Sequence, residues 1–321
     1  MTTAHLGLDI GGTNFRLASF GAGFTPEHVH KEEVGEPRDP PAIVERIARA
    51  ADQLAGGAER VTLGVGIAAM LRDRRGTVAN SPHLRWRDVA FGVELAARLG
   101  TRYEVGVYND VNAIVWGEAV AGAARGCRDV LGVYVGTGIG GGLIAGGQLV
   151  EGVSNCAGEI GHAKVRWDDD ALPCACGQRG CIEAYIGGSY VQKRIRGELA
   201  AGATSSALAL GGAIDRVTPG HVDAAAAEGD EWALGLWSEL APLLGVVLAN
   251  ACAVLNPERL VLGGGLLGRT PVLYDLVETA LTVAAPTAIM ERLDVVQAEL
   301  GDDAGLVGAA ALARDGVSTI R

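Results

Sequence analysis

The chain has 321 residues, of which 49% are hydrophobic and 20% charged, so it can form one large globular domain or two ordinary ones. The formal net charge of −11 argues against a nucleic-acid partner, because phosphate backbones are bound by clustered Lys and Arg. No basic leader or cleavage site precedes the first apolar strand, and no run of about 18 apolar residues occurs, so a cytoplasmic protein without a membrane partner is expected.

The first part of the chain alternates short apolar runs with segments of helical periodicity. Strands are predicted at residues 5–10, 14–19, 61–67 and 103–108, and helices at 42–54, 89–99 and 113–123. A polar, Pro-rich stretch separates the second strand from the first helix. The last of these helices is expected to lead into a second domain.

The second part repeats this organisation, with strands predicted at 130–135, 141–144 and 259–262. Between them lies a long helical region, 189–255, in which the Ala/Gly-rich stretch 199–212 is expected to be an exposed loop. The most apolar run, 240–255, is interrupted by Pro242, Gly245 and Asn250 and is predicted to be a buried helix. Strands alternating with helices predict a mostly parallel α/β architecture.

Glycine is unusually frequent, with 48 residues, and two of its clusters follow apolar strands about 125 positions apart. These turns contain Asp9, Gly11, Gly12 and Thr13, and then Gly136, Thr137 and Gly138. Glycine N–H groups can surround a phosphate oxygen, and an aspartate at a strand end can reach phosphate-bound Mg²⁺ through water. Either cluster alone could be an ordinary Gly-Gly turn, but the pair predicts ATP between two lobes. A third turn, with Gly263 and Gly264, is expected near the adenosine.

The six cysteines are unevenly distributed, with three of them between positions 174 and 181. In a reducing compartment, clustered cysteines bind metals more often than they form disulfides. Three thiolates and one imidazole suit tetrahedral zinc, and they come from His162, Cys174, Cys176 and Cys181. Four protein ligands leave no open coordination position, so the zinc is predicted to be structural. Three reduced cysteines beside an unrelated histidine are the alternative.

Several polar residues are candidates for substrate chemistry. Asn109 and Asp110 follow a predicted strand, where a carboxylate can accept a hydroxyl proton during phosphoryl transfer. Helix capping is the commoner role for an aspartate at such a position. Glu159, His162 and Glu183 flank the cysteine cluster and could bracket sugar hydroxyls, with His162 using one ring nitrogen for zinc and the other for sugar. Solvated glutamates are the alternative.

These motifs, in this order, resemble the ROK family of sugar kinases and repressors, and within it the zinc-containing bacterial glucokinases. The resemblance extends from about residue 6 to 312 and rests on the segments 9–13, 108–113, 136–142, 158–162, 174–183 and 261–265. It implies the two-lobed actin-like ATPase (hexokinase-type) α/β fold, with the active site in the cleft between the lobes. The expected small lobe is 1–112 with a C-terminal helix at about 302–321, and the large lobe, with the zinc loop, is 113–301.

By matching position, the resemblance implies that Asp110 is the general base and that Asn109 is a sugar ligand. Glu159, His162 and Glu183 are implied as further sugar contacts, with ATP as the phosphoryl donor and Mg²⁺ bound to its phosphates. Homodimers or homotetramers are usual in the family. The repressors carry a DNA-binding domain before the first glycine turn, and none is expected here because that turn follows Asp9.

The implied reaction is ATP-dependent phosphorylation of glucose at its 6-hydroxyl, a step of glycolysis. Two segments depart from the family pattern, Ala68–Leu71 at a usually Gly-containing turn and His83 where relatives often have Asn. Both are expected on the small-lobe side of the sugar crevice, and they leave fructose, mannose, allose or an N-acetylhexosamine open as acceptors. A non-catalytic sugar-sensing protein is a weaker alternative, because Asp110 and both glycine turns are present.

Overall fold

The computed structural model describes residues 2–21, 23–317 and 319–320, and the chain divides into two compact units. The first unit comprises Met1–Val130, Gly142–Gly158 and Glu299–Arg321. The second unit comprises Leu131–Gly141 and Glu159–Ala298. The lobe boundaries expected from the sequence, after residues 112 and 301, stay a prediction.

The first part of the chain contains every strand and helix predicted there, with ends that differ by a few residues. Its elements are β1 (Thr3–Ile10), β2 (Asn14–Phe20), β3 (Pro26–Glu33), α1 (Pro40–Ala55), β4 (Arg60–Ile67), β5 (Met70–Leu71), β6 (Val78–Ser81), β7 (Trp86–Val89), α2 (Phe91–Leu99), β8 (Tyr103–Asn109) and α3 (Asp110–Ala121). The strand β3 was not predicted, because it is polar and largely exposed and so lacks an apolar signal.

The rest of the chain contains six strands and eight α-helices among the described residues. The strands are β9 (Val130–Val135), β10 (Ile139–Ala145), β11 (Gln148–Leu149), β12 (Arg259–Gly263), β13 (Asp294–Gln297) and β14 (Thr319–Ile320). The helices are α4 (Glu183–Ile186), α5 (Gly188–Ala200), α6 (Ala207–Gly211), α7 (Pro219–Ala227), α8 (Glu231–Leu255), α9 (Pro271–Ala284), α10 (Thr287–Met290) and α11 (Ala304–Arg314). The short helix α6 lies in the stretch predicted to be a loop.

The main sheet is mixed rather than mostly parallel. Its order is β14-β8-β4-β1-β2-β3, in which β1 pairs with β4 and β4 with β8 in parallel, while the outer pairs are antiparallel. The pairs β1–β2 and β2–β3 are antiparallel because short connections join these strands, and a tight turn can join only antiparallel strands. A second sheet has the order β11-β10-β9-β12-β13, and β5, β6 and β7 form a small third sheet.

The helix α11 packs closely on the centre of the main sheet. A Cβ on Gly64 of β4 would collide with the carbonyl of Ala309 in α11. A Cβ on Gly308 of α11 would collide with the carbonyl of Ala113 in α3. Residues Ala304–Ala313 of α11 are all buried. This close packing holds the position of α3, which begins at the candidate base Asp110.

The helix α8 is the one helix of the described residues that is long and apolar enough to cross a membrane by length and composition alone. Within its apolar window, 44% is buried inside the protein. Trp237, Leu244 and Leu248 are fully buried, and the helix packs on α7 and α9 of the same unit. We therefore interpret α8 as a core helix, which includes the buried helix predicted at 240–255.

Candidate active site and metal centre

The first glycine turn connects β1 to β2 in the first unit. The N–H of Gly11 donates to the carbonyl of Asn14 at 3.1 Å and closes the turn. A Cβ on Gly12 would lie 2.8 Å from Cβ of His83 and 3.0 Å from its carbonyl oxygen, so the turn has no room for a side chain there. The carbonyl of Thr13, the last residue of the motif, accepts from Val34 N–H at 2.8 Å. The backbone of the turn is thus held on both sides.

The two segments that depart from the family pattern both lie near this turn in the first unit. His83 packs on Gly12, and its carbonyl accepts from the guanidinium of Arg38. The carbonyl of Ala68 accepts from the hydroxyl of Ser81, two residues before His83, at 2.8 Å. This bond connects the first segment to the chain just before the second. His83 therefore contacts the predicted phosphate-binding turn, a contact that its position in the sequence did not indicate.

Asp9 is the carboxylate nearest to the first glycine turn along the chain. Burial raises its pKa to about 6, although Arg16, opposite it on β2, lowers that pKa and Asp302 raises it slightly. Arg16 is itself held by the carbonyl of Asp302 at 2.7 Å and by Oδ1 of Asp303 at 2.5 Å. A carboxylate that is poorly solvated favours a nearby cation, which is the environment that a phosphate-bound metal would supply.

Asn109 and Asp110 mark the junction between β8 and α3. Asn109 is the N-cap of the helix, because its Oδ1 accepts the N–H of Val111 at 2.9 Å and that of Asn112 at 3.2 Å. Its Nδ2 donates to the carbonyl of Ala69 at 3.3 Å. Asp110 lies in the first helical turn, where the helix dipole stabilises an anion.

Asp9 and Asp110 lie at the same edge of the main sheet. In the parallel strands β1, β4 and β8, Asp9 is aligned with Gly66, and Gly66 with Tyr108. A Cβ on Gly66 would lie 3.8 Å from Cα of Asp110, so the start of α3 packs against the middle strand. The carboxyl ends of parallel strands are where open α/β sheets bind their ligands.

The second glycine turn lies in the second unit, between β9 and β10. The N–H of Gly136 donates to the carbonyl of Gly138 at 2.9 Å. The start of α5 supports this turn: Gly188 N–H donates to the Gly136 carbonyl at 2.9 Å. Both the N–H and the hydroxyl of Ser189 donate to the Thr137 carbonyl at 3.0 Å. The predicted turn therefore exists, and hydrogen bonds from the first residues of α5 stabilise it.

The third glycine turn follows β12 and approaches the second one within the same unit. Gly264 has φ +93°, which favours glycine, and a Cβ there would lie 2.5 Å from the carbonyl oxygen of Val135. The N–H of Leu266 donates to that same carbonyl at 2.9 Å. Gly263 and Gly264 thus lie beside the end of β9, directly before Gly136.

The four predicted zinc ligands come together in the second unit. Their donor atoms, from His162, Cys174, Cys176 and Cys181, all lie within 4.8 Å of one another. Cys176 Sγ is 3.7 Å from Cys181 Sγ, and Cys174 Sγ is 3.8 Å from His162 Nδ1. Two sulfurs bound to one tetrahedral zinc at about 2.3 Å are about 3.8 Å apart. The donor set and its spacing therefore fit one zinc ion.

The surroundings of this cluster also suit a metal–thiolate site. Lys164 Nζ donates to Cys181 Sγ at 3.1 Å, and a cation at that position stabilises a thiolate. Burial raises the pKa of the Cys174 thiol to about 12, and direct coordination would offset this cost of forming the thiolate. The hydroxyls of Tyr185 and Tyr190 accept the N–H groups of Leu172 and Ala175 at 3.0 and 2.9 Å and hold the loop.

The residues predicted to contact sugar in the second unit adjoin the cysteine cluster. His162 has Nδ1 towards Cys174 and Nε2 3.8 Å from Glu159 Oε2, and the two side chains are 38% and 37% exposed. Zinc and a ligand could therefore use different ring nitrogens. Glu183 accepts the N–H of Ile139 through Oε2 at 2.8 Å, while its Oε1 is 3.9 Å from Cys174 Sγ.

Two supporting residues, Lys164 and Ser189, escaped the sequence-based reasoning. They act through contacts to a thiol or to a backbone carbonyl, and no motif identifies such contacts. The position of His83 was singled out, but its contact with Gly12 was not. A cavity of about 540 Å³ in the second unit also adjoins Tyr185 and Tyr190, but none of the predicted site residues lines it.

The family comparison covers nearly the whole chain. The model of the ROK family matches residues 5–316. The chain is 35% identical over 317 residues to the glucokinase of Streptomyces coelicolor, covering 97% of each chain. It is 32% identical over 329 residues to the N-acetyl-D-glucosamine kinase of Erwinia tasmaniensis, covering 95% of this chain and 98% of that one.

A solved structure gives the same result for the fold. The ROK family glucokinase from Streptomyces griseus, in complex with glucose and AMPPNP, is 33% identical and superimposes with a TM-score of 0.80 over 98% of this chain and 100% of that one. The likeness confirms the predicted α/β fold of the actin-like ATPase (hexokinase) type.

Proposed function

The chain belongs to the ROK family, and we propose that it is a sugar kinase that transfers the γ-phosphoryl group of ATP to the 6-hydroxyl of glucose. The observation that carries the proposal is the presence of Asp9 and Asp110 at one edge of β1, β4 and β8, beside a glycine turn. The similarity to the Streptomyces coelicolor glucokinase and to the structure with glucose and AMPPNP supports this pair of substrates.

In the first unit, Asp110 would accept the proton of the 6-hydroxyl as that oxygen attacks the γ-phosphorus. The N–H groups of Gly11 and Gly12 and the hydroxyl of Thr13 would bind phosphate oxygens. Asp9 would hold phosphate-bound Mg²⁺ through water. Asn109 caps α3, so its sugar contact would have to share an amide that already makes backbone hydrogen bonds.

In the second unit, the turn Gly136–Gly138 would bind phosphate oxygens of ATP, and Gly263 and Gly264 would approach the adenosine. Glu159, His162 and Glu183 would bind sugar hydroxyls. His162 is suited to this because its Nε2 faces Glu159 while Nδ1 faces the cysteines. Orientation of the sugar matters because an error of about 1 Å at the attacking oxygen can cost about 10²-fold in rate.

The cysteine cluster would hold one structural zinc through His162, Cys174, Cys176 and Cys181. The metal supplies folding energy and leaves no open position for substrate. It would also keep the His162 ring in one orientation and so preorganise a sugar contact. We further propose a cytoplasmic homodimer or homotetramer whose product enters glycolysis.

A second candidate is a kinase for an N-acetylhexosamine, since the relative from Erwinia tasmaniensis is 32% identical to the chain. Fructose, mannose and allose remain further candidates, and a non-catalytic sugar sensor is disfavoured by Asp110 and the two turns. The test is ATP turnover by the purified protein with each of these hexoses, scored by kcat/KM and by the position of the phosphate. Glucose should have the highest kcat/KM, with glucose 6-phosphate as the product. No turnover with any hexose would contradict the kinase assignment.

A further inference from the structure

The N–H of Ile139, the first residue after the second glycine turn, is held by a carboxylate. It donates to Glu183 Oε2 at 2.8 Å, a charge-assisted bond of the stronger kind. The carboxylate also lies against the turn, because a Cβ on Gly138 would be 2.5 Å from that oxygen. One side chain therefore fixes the end of the turn that the proposed function assigns to phosphate.

The position of Glu183 is set by the cysteine cluster. Glu183 follows the predicted ligand Cys181 by two residues, and its other oxygen, Oε1, is 3.9 Å from Cys174 Sγ. The intervening Ile182 is fully buried, and its N–H donates to the carbonyl of Ala163 at 2.8 Å. The metal loop, residues 161–181, carries all four predicted ligands. Ile182, which precedes Glu183, is joined to Cys181 at one end of this loop and is hydrogen-bonded to Ala163, next to His162, at the other end.

The carbonyl of Ile139 lies close against the same loop. A Cβ on Gly161, the residue before His162, would collide with the carbonyl oxygen of Ile139. Ile139 is thus enclosed by a carboxylate that follows Cys181 and by a glycine that precedes His162. The metal loop therefore contacts the backbone of the residue that directly follows the second glycine turn.

We propose that Glu183 is a positioning residue for the turn Gly136–Gly138, which it connects mechanically to the zinc ligands. In this role the carboxylate acts on nucleotide binding through Ile139, separately from the sugar contact proposed above. The identity of the nucleotide rests on the proposed function, but the connection between Glu183 and Ile139 does not. Loss of the carboxylate, or of the metal that holds its base, should loosen the same turn.

The test compares Glu183→Ala with Glu183→Gln, because glutamine keeps an oxygen that can accept the Ile139 N–H. Hydrogen exchange at the Ile139 amide and the Kd for Mg²⁺–AMPPNP without sugar are measured. We expect exchange to be about tenfold or more faster in Glu183→Ala, as for a lost bond to a charged group, and near wild type in Glu183→Gln. The Kd should rise about three- to tenfold in Glu183→Ala alone. Unchanged exchange in Glu183→Ala would overturn the proposal, as would a glutamine variant that behaves like alanine.

Three controls keep the result decisive. Glu239→Ala removes a carboxylate of the same unit that pairs with Arg194, and it should leave Ile139 exchange unchanged. If Glu183→Ala fails to fold, Gly138→Ala displaces the carboxylate from the other side and should raise the exchange rate at normal zinc content. Removing zinc from the wild type should also raise the exchange rate of the Ile139 amide. An exchange rate that is insensitive to zinc would contradict the proposed connection between the zinc ligands and the turn. If AMPPNP does not bind even to the wild type, the proposed function fails while the exchange result still stands.

Discussion

Asn109 Oδ1 accepts the N–H of Val111 at 2.9 Å, so the residue before the candidate base is the one that caps α3. The helix cap and the carboxylate that we propose as the general base are therefore adjacent in the chain and are different side chains. The sequence left both roles open for Asp110. Because Asn109 is the cap and Asp110 the proposed base, only loss of the Asn109 side chain should lower stability through the cap.

Asp110→Asn should reduce turnover without affecting folding. Asparagine keeps the size and the hydrogen-bonding reach of the side chain but cannot accept the hydroxyl proton. We expect kcat to fall by about 10²–10⁴-fold, with wild-type zinc content and a nearly unchanged Tm. Steady-state kinetics and thermal unfolding check this. A folded variant with more than about a tenth of the wild-type kcat would remove Asp110 from the mechanism.

Asn109→Ala, unlike Asp110→Asn, should lower the stability of the protein. Asn109→Ala removes the cap and is expected to lower the free energy of unfolding by about 1 kcal/mol, whereas Asn109→Asp keeps an acceptor and should not. Urea unfolding of both variants measures the difference. Equal stability of Asn109→Ala and the wild type would mean that the cap contributes nothing.

Asp9→Asn should stabilise the protein at high pH. The pKa of Asp9 is about 6 in the folded protein and 3.8 ordinarily, so the folded chain binds this proton more tightly than the unfolded chain. The stabilisation of the folded protein by protonated Asp9 is complete below about pH 4 and is lost as the pH rises through 6. Asparagine has no proton to lose, so the variant should exceed the wild type by about 1–3 kcal/mol at about pH 8. Unfolding measured at about pH 4 and pH 8 tests the trend.

Asp52 supplies a control of opposite sign for that experiment. Burial raises its pKa, but hydrogen bonds from Arg102 and Tyr103 outweigh burial and hold the pKa below its ordinary value. Ionised Asp52 therefore stabilises the folded protein at neutral pH, and this stabilisation is lost as the pH falls. Asp52→Asn should lower the Tm at about pH 8, and Asp9→Asn should raise it while abolishing Mg²⁺–ATP turnover. The same sign for both variants would refute the account of Asp9.

Cys176→Ser should remove zinc and destabilise the second unit. Cys176 is the exposed member of the four predicted ligands, so serine introduces no packing defect, and the loss of stability should reflect the metal alone. We expect about one zinc per chain in the wild type, much less in the variant, and a Tm lower by on the order of 5 °C. Elemental analysis and thermal unfolding are the measurements. Cys156→Ser, at a half-buried cysteine outside the cluster, should keep both zinc and Tm.

Gly12→Ala and Gly11→Ala should differ in stability although both glycines belong to the first turn. A Cβ on Gly12 meets His83 at 2.8 Å, whereas on Gly11 the nearest atom is the Asn14 carbonyl oxygen at 3.9 Å. Overpacking typically costs about 1–3 kcal/mol, so only Gly12→Ala should unfold more easily. Both variants keep the backbone N–H, so they should bind Mg²⁺–ATP more weakly only if the added methyl group crowds the phosphate. Equal unfolding free energies would show that His83 yields to the added methyl group.

The sequence by itself determined those features that depend on neighbouring residues. The two glycine turns lie between strands that the apolar pattern predicts. The four predicted metal ligands fall within 20 residues of one another, and a loop that short can bring them together by local turns at Gly177 and Gly180. The order of these motifs also indicated the family, because it extends over the whole chain.

Only the tertiary structure decided how distant segments meet. His83 packs on Gly12 across 71 positions, and Glu183 accepts the Ile139 N–H across 44, and neither distance leaves a trace in local periodicity. The polar edge strand β3 exists because β2 offers it backbone partners, and hydrophobicity plays no part. That Asn109 and not Asp110 is the N-cap of α3 depended on side-chain direction at the end of β8, which packing sets and residue type does not.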